Sequence, residues 1–363
     1  MLLRVVIAPD SFKGSLGAAD VAMAIAEGWR SVRPDDELVL LPQADGGEGT
    51  LAAIAAAVPG AVLRSAGDVT GPAGRPVPGH WLALPDGTAV VELAQVSGLP
   101  LMAAPDPLGA TTRGLGEVIA AALDVGASSL VIGLGGSAST DGGAGALAAL
   151  GMLLLDSDDR PLGDGGGELA RLARIDRSGL RAAPAGGVRL LSDVTAPLLG
   201  PTGAAAVFGP QKGAHREDVS MLDAALATYA GALGHGAAVP GAGAAGGAGY
   251  GFLAAWGARI EAGSRAIATL TGLVAEASSA DVVITGEGAF DATSMTGKVV
   301  GGVLELAGER TVIVAGLLGA EPPPGVRAFG LSDLAGSVEA ALGDPARWLR
   351  DAGAEAARSV QPA

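Results

Sequence analysis

The chain has three lysines, Lys13, Lys212 and Lys298, and each stands beside a glycine, in FKGSL, PQKGA and TGKVV. The other strong cations are all arginine. An ammonium is a compact point charge suited to a phosphoryl group in transfer, and glycine lets the backbone approach phosphate closely. Acids recur on Gly-rich turns nearby: Asp10 and Ser11 in APDSFKGSL, Asp45 and Glu48 in QADGGEGT, Asp193 in LLSDVTAP, Glu287 and Asp291 in TGEGAFDATSMTGK. Such carboxylates could hold Mg2+, orient a hydroxyl nucleophile or cap a helix. Gathered with lysines at strand ends, they fit metal-assisted phosphoryl transfer, which depends mainly on positioning and charge neutralisation. Plainer readings exist for single residues: a solvated lysine on a capped loop for Lys13, a helix cap for Glu48.

The elements that must position these groups read as strand, turn and helix in alternation. Short β-branched runs lie at Arg4 to Ala8, Glu37 to Leu41, Ser129 to Gly133, Asp281 to Thr285 and Thr311 to Ala315. Helical spacing follows at Ser15 to Trp29, Glu48 to Val58, Gly143 to Leu150 and Gly297 to Ala307, with Ser15 as a cap for the first. Continuous apolar strands between helices predict an α/β fold with parallel sheets covered on both faces. Asp10, Ser11 and Lys13 then fall on a strand-to-helix turn, the edge where open α/β sheets bind ligands. From Ala61 to Gly98 three strand-like pieces follow one another without a helix, which predicts antiparallel strands, with a Pro-Asp-Gly turn at 85 to 87. With a break near 278 to 280, the expectation is one Rossmann-like domain from residues 1–60 and 281–363, split by an inserted second α/β domain of residues 61–280. A closing amphipathic helix is expected from Ala346.

Composition narrows the function. With 363 residues and 49% hydrophobic content the chain can bury two cores, and 60 glycines fall in clusters with no three-residue period. A formal net charge of −15 argues against nucleic acid or an anionic membrane as partner. The absence of cysteine excludes disulfides, thiolate metal sites and cysteine nucleophiles. No apolar run approaches a membrane span, and the first residues lack a cleavage pattern, so a cytoplasmic protein is expected. His80, His215 and His235 are isolated, which speaks against zinc. Neither a G-x-x-x-x-G-K-[ST] loop nor a G-x-S-x-G elbow occurs.

One stretch points two ways. In SLVIGLGGSASTDGGAGAL, Gly133, Gly135 and Ala138 satisfy G-x-G-x-x-A after a strand, with Asp156 at a suitable distance for a ribose contact. That would make an NAD(P)-dependent oxidoreductase. Against it, Ser137, Ser139, Thr140 and Asp141 prolong the turn to Gly142 and Gly143, and a hydroxyl-and-glycine loop suits a nest of amides around phosphate or a carboxylate better. Gly135, Gly136, Gly286 and Glu287 are expected to bind the nucleotide, and Ser11, Ser137, Asp141 and Lys212 the substrate. Arg113, at the start of TTRGLGEVIAAAL, is a bidentate candidate for a substrate carboxylate.

Taken together, VVIAPDSFKGSL, ADGGEGT, IGLGGSASTDGGAGAL, SDVTAPLLG, FGPQKGA, PGAGAAGGAGYG and VITGEGAFDATSMTGK resemble the type I bacterial glycerate kinase family, in order and over nearly the whole chain. The resemblance implies ATP-dependent phosphorylation of D-glycerate, in most members to 2-phosphoglycerate, with Mg2+ and with the active site in the cleft of a two-domain α/β fold. It also implies functional positions at Asp10, Ser11, Lys13, Asp45, Glu48, Asp193, Lys212, Glu287, Asp291 and Lys298. The expected division of labour is Asp10 or Asp193 at the hydroxyl proton, Asp45, Glu48 and Asp291 at Mg2+, and the lysines at phosphate and carboxylate. Many relatives have Asn, Asn, Arg and Gln where this chain has Thr140, Ala196, Ala289 and Thr293, which bears on substrate preference. A 3-phosphoglycerate-forming kinase and an inactive nucleotide or small-acid sensor are the alternatives to be tested, as is a homodimer; the expected partners are the small molecules ATP and D-glycerate.

Overall fold

The computed structural model describes residues 2–295 and 298–360; Gly297, where a helix was expected to start, lies outside them. In chain order the strands among the described residues are β1 (Arg4–Ile7), β2 (Glu37–Leu40), β3 (Val62–Thr70), β4 (Pro76–Ala83), β5 (Thr88–Glu92), β6 (Ser129–Gly133), β7 (Leu153–Leu155), β8 (Arg174–Asp176), β9 (Val188–Leu191), β10 (Arg259–Glu261), β11 (Val282–Phe290), β12 (Thr311–Leu318) and β13 (Arg327–Gly330). The chain divides into two compact units, one of Met1–Asp45, Ala52–Pro59 and Ala262–Ala363, the other of Gly46–Leu51 and Gly60–Glu261.

In the first unit every sheet pairing is parallel and the order is β13-β12-β11-β1-β2. Side chains alternate across a strand, so the apolar run of β1 feeds two cores. Val5 and Ile7 join Val282, Ile284, Val312 and Val314 under the helices Ala18–Val32 and Pro345–Ser359. On the opposite face Val6, Ala8 and Val283 pack with Ala268, Leu273, Ala277, Val299 and Val303. Ala268, Leu273 and Ala277 belong to the helices Gly263–Leu270 and Leu273–Ser279, which the sequence reading had assigned to the inserted domain. Burying that face of the first sheet draws both helices out of the expected 61–280 segment and sets the division at 261/262.

Topology singles out one crevice in this unit. From β1 the chain crosses to β2 on one side, whereas β11, β12 and β13 extend from the other, so the winding reverses between β1 and β11. Ligands bind at the carboxyl ends of strands at such a switch point.

The second unit holds a six-stranded sheet, order β10-β9-β6-β5-β4-β3, and the separate pair β7-β8. β3, β4 and β5 are antiparallel, while β5, β6, β9 and β10 run parallel. The turn at 85 to 87 is fixed by the Thr88 amide donating to Asp86 Oδ1 at 2.9 Å. The last strand-like piece changes state: β5 stops at Glu92 and Ala94–Ser97 is helical, because Leu93 and Val96, three apart, both turn into the core.

Candidate functional site

The first unit gathers charged groups at its switch point. After β1, the Asp10 amide donates to the Gly286 carbonyl of β11 at 2.8 Å. Residues 12 to 16 then close on themselves, the Phe12 amide donating to the Leu16 carbonyl at 2.8 Å and the reverse bond spanning 3.0 Å. Phe12 is buried and the tip of this turn presents Lys13 to solvent. Ser15 lies within the turn and caps nothing, because the helix starts at Ala18 with Gly17 as its cap residue. Ser11 donates its amide to Asp10 Oδ1 at 2.6 Å.

Asp10 binds its proton more tightly than an ordinary aspartate. Burial first, then the neighbouring charges of Asp45 and Glu287, push its pKa up to about 7, against which the Ser11 hydrogen bonds act. Glu287 is likewise raised, chiefly by burial, with Asp291 and Asp45 adding to the rise while Ser294 and Lys298 oppose it. Its Oε2 lies 3.8 Å from Lys298 Nζ, and its buried Oε1 has no hydrogen-bond partner among the described residues. Asp291 is held low by Thr293, whose amide and hydroxyl donate to Oδ1 at 2.7 and 2.6 Å. The Ser294 hydroxyl accepts the Asp291 amide at 2.9 Å, tying the turn to Glu287.

The expected metal trio is not one cluster. Asp45 and Asp291 belong to the first unit and Glu48 to the second, and no group of three His, Cys, Asp or Glu among the described residues could hold a metal ion. Mg2+ usually takes only one or two carboxylates together with substrate phosphates. Mutually repelling carboxylates with an unpartnered buried Glu287 oxygen fit that mode.

In the second unit several expected contacts face inward. Asp141 is fully buried, and its carboxylate accepts from the Thr112 amide and hydroxyl, the Gly143 amide and the Gly145 amide at 2.8 to 3.2 Å. With four donors and no exposed atom it organises the loop. Lys212 is 1% exposed, and its ammonium donates to Ser137 Oγ at 2.8 Å and the Ser139 carbonyl at 2.5 Å. Burial pushes its pKa down to about 7, countered by Asp141. The three lysines are therefore not one set, since Lys13 and Lys298 serve the first unit and Lys212 braces the 137–139 loop of the second. Arg113 is also taken: Nε and Nη2 form a fork with Asp164 at 2.7 Å each, a pairing 51 residues apart in sequence.

The glycines correct the nucleotide reading. The amides of Leu134, Gly135 and Ala138 donate to the carbonyls of Leu191, Gly46 and Ser97, so they are not aimed at an anion. No helix follows Ala138; the next one, Ala144–Ala149, is a single short segment, and the dinucleotide fingerprint fails. A Cβ on Gly135 would stand 2.4 Å from Gly47 Cα, one on Gly286 2.0 Å from the Val314 carbonyl, and one on Gly136 3.2 Å from Ala94 Cβ. These positions serve chain packing. Asp156 turns to Arg171, 2.9 Å away, far from any ribose role.

Glu48 is exposed on its turn and Asp193 is half-buried just beyond β9. Glu92, Thr112, Asp164 and Ser294 escaped the sequence reading. Ser294 alone left a local sign, standing three residues after Asp291 as turn-forming hydroxyls do.

Comparison with known proteins bears on the family. The model of the glycerate kinase family matches residues 5–361. The Glycerate 2-kinase of Escherichia coli K12 is 44% identical over 87% of this chain and 85% of its own length, and the Glycerate kinase of Bacillus subtilis 168 is 44% identical with the same coverage. A crystal structure from Salmonella typhimurium LT2, assigned to a glycerate kinase 2, superposes with a TM-score of 0.85 at 39% identity over 99% of this chain and 98% of that one. Acids and lysines at an α/β switch point, a match from residue 5 to residue 361 and relatives at this identity place the chain in the glycerate kinase family, as a phosphotransferase.

Proposed function

We propose that the protein transfers the γ-phosphoryl group of ATP to D-glycerate, with 2-phosphoglycerate as product and Mg2+ as the accompanying ion. Membership of a kinase family implies ATP as donor, and the 2-position follows the name of the Escherichia coli relative. The observation that carries the reading is the switch-point group of the first unit, where Asp10, lifted to about 7, feels the charges of Asp45 and Glu287, Glu287 faces Lys298, and Lys13 is exposed on the same strand-end turn.

The hydroxyl oxygen of glycerate attacks the γ-phosphorus, the bond to the bridging oxygen breaks, and the hydroxyl proton passes to an Asp10 oxygen as ADP leaves. A base with a pKa near the working pH is effective in that task. Lys13 and Lys298 neutralise charge on the phosphates, where preorganised cations count most in the transition state. Asp45 and Glu287 would hold Mg2+, with Asp291 in support, and the ion would supply further charge neutralisation. In the second unit, of the acids expected to serve the reaction, Glu48 is exposed and Asp193 half-buried.

The test is phosphorus NMR of the protein with ATP, Mg2+ and D-glycerate. The expected result is ADP together with the 2-phosphate ester. A 3-phosphate ester would overturn the position assigned, and ATP left intact would overturn the activity.

A further inference from the structure

Glu92 ends β5 at 2% exposure, and both of its oxygens reach one stretch of chain. Oε1 accepts the Gly49 amide and Oε2 the Leu51 amide, each at 3.0 Å. Those amides open the helix Thr50–Ala57, so a carboxylate about forty residues onward supplies the negative charge that a helix start favours. The Thr50 hydroxyl turns back to the Gly47 carbonyl at 2.7 Å. At the other end of the stretch the Gly135 amide donates to the Gly46 carbonyl at 3.0 Å, and a Cβ on Gly133 would come within 2.6 Å of that same oxygen. Residues 46 to 51 are gripped at both ends, with Glu48 exposed between the two grips.

We propose that Glu92 is a positioning residue for phosphoryl transfer, fixing the backbone of residues 47–51 and hence the direction of Glu48 without touching substrate. This rests on the reading that the Asp45–Glu48 turn serves the reaction. Two carboxylate oxygens are needed, because two amides must be accepted by one buried group. Glu92→Gln keeps the size but sets an NH2 against one of those amides. Glu92→Asp keeps the charge but shortens the reach by one methylene.

The experiment compares both variants with wild type by hydrogen-exchange mass spectrometry, urea unfolding and steady-state kinetics. In Glu92→Gln, exchange over 47–51 should quicken and kcat should fall at least about tenfold, with KM for ATP and D-glycerate little changed and the unfolding midpoint near that of wild type. Glu92→Asp should recover part of kcat, and Glu48→Gln should lower kcat without quickening exchange. Wild-type kcat in Glu92→Gln despite faster exchange would overturn the proposal, as would unchanged exchange over 47–51. If only the Glu48→Gln loss is missing, the reading of the turn fails while the grip of Glu92 on the backbone stands.

Discussion

Asp10 illustrates how far one residue's surroundings can alter its chemistry. Its folded-state pKa, about 7, lies above the 3.8 of an ordinary aspartate, so the native state holds a proton that the unfolded chain releases. Its contribution to stability is therefore complete below about pH 4 and is lost as pH rises towards 7. Asp10→Asn should flatten the fall in stability across that window, read by urea unfolding at a series of pH values. On the proposed role of Asp10 as proton acceptor, its ionised form is the active one, so kcat/KM should rise with pH to a limb near 7, and Asp10→Asn should lower kcat by roughly 10²- to 10⁴-fold. Lys13→Ala and Lys298→Ala should each lower kcat by about 10²-fold or more with circular dichroism unchanged. Near-normal kcat in both variants would remove the two ammonium groups from the mechanism. The place of these residues on strand-end loops was legible because such loops carrying acid and lysine are a local pattern. The inward-facing ones were not: what decides Lys212 is Ser137, 75 residues away, and what decides Arg113 is Asp164.

Among the elements, strands were the most readable. Val5 to Ile7 and Leu130 to Ile132 are β-branched or aliphatic without a break, and burial on both faces demands that. Helix starts were displaced by a few residues, as at Ser15, because the closed turn of residues 12 to 16 uses up the chain that a helix would otherwise occupy. The close pairing of Ala18–Val32 with Pro345–Ser359 left only composition as a sign. A Cβ on Gly28 would stand 1.9 Å from the Arg350 carbonyl, so Gly28→Ala must push two helices apart and should cost about 2 kcal/mol, read by chemical denaturation. The Arg113–Asp164 fork is about one-third exposed at each side chain, and solvent screens it. Arg113→Ala should then cost no more than about 1 kcal/mol and leave KM for D-glycerate near wild type, whereas a large rise in that KM would return Arg113 to the substrate.

For the whole molecule, the discontinuous organisation was visible in where helices stop alternating with strands, at Ala61 to Gly98. The division at 261/262 was not, because Ala268, Leu273 and Ala277 carry no mark of which sheet they will cover. One feature of the first sheet bears on how the chain comes to be folded at all. Its strand β1 lies early in the sequence, yet its neighbour β11 follows 277 residues later, as the Thr285 hydroxyl bond to the Ala8 carbonyl shows. Closing so long a loop is slow, whereas almost all of the second unit lies in one unbroken stretch. During synthesis the inserted stretch should therefore mature first, while β1 waits, unpaired on that flank, for Val282–Phe290. Pulse-labelled refolding should show amides of residues 60–261 protected before those of Val5 to Ile7.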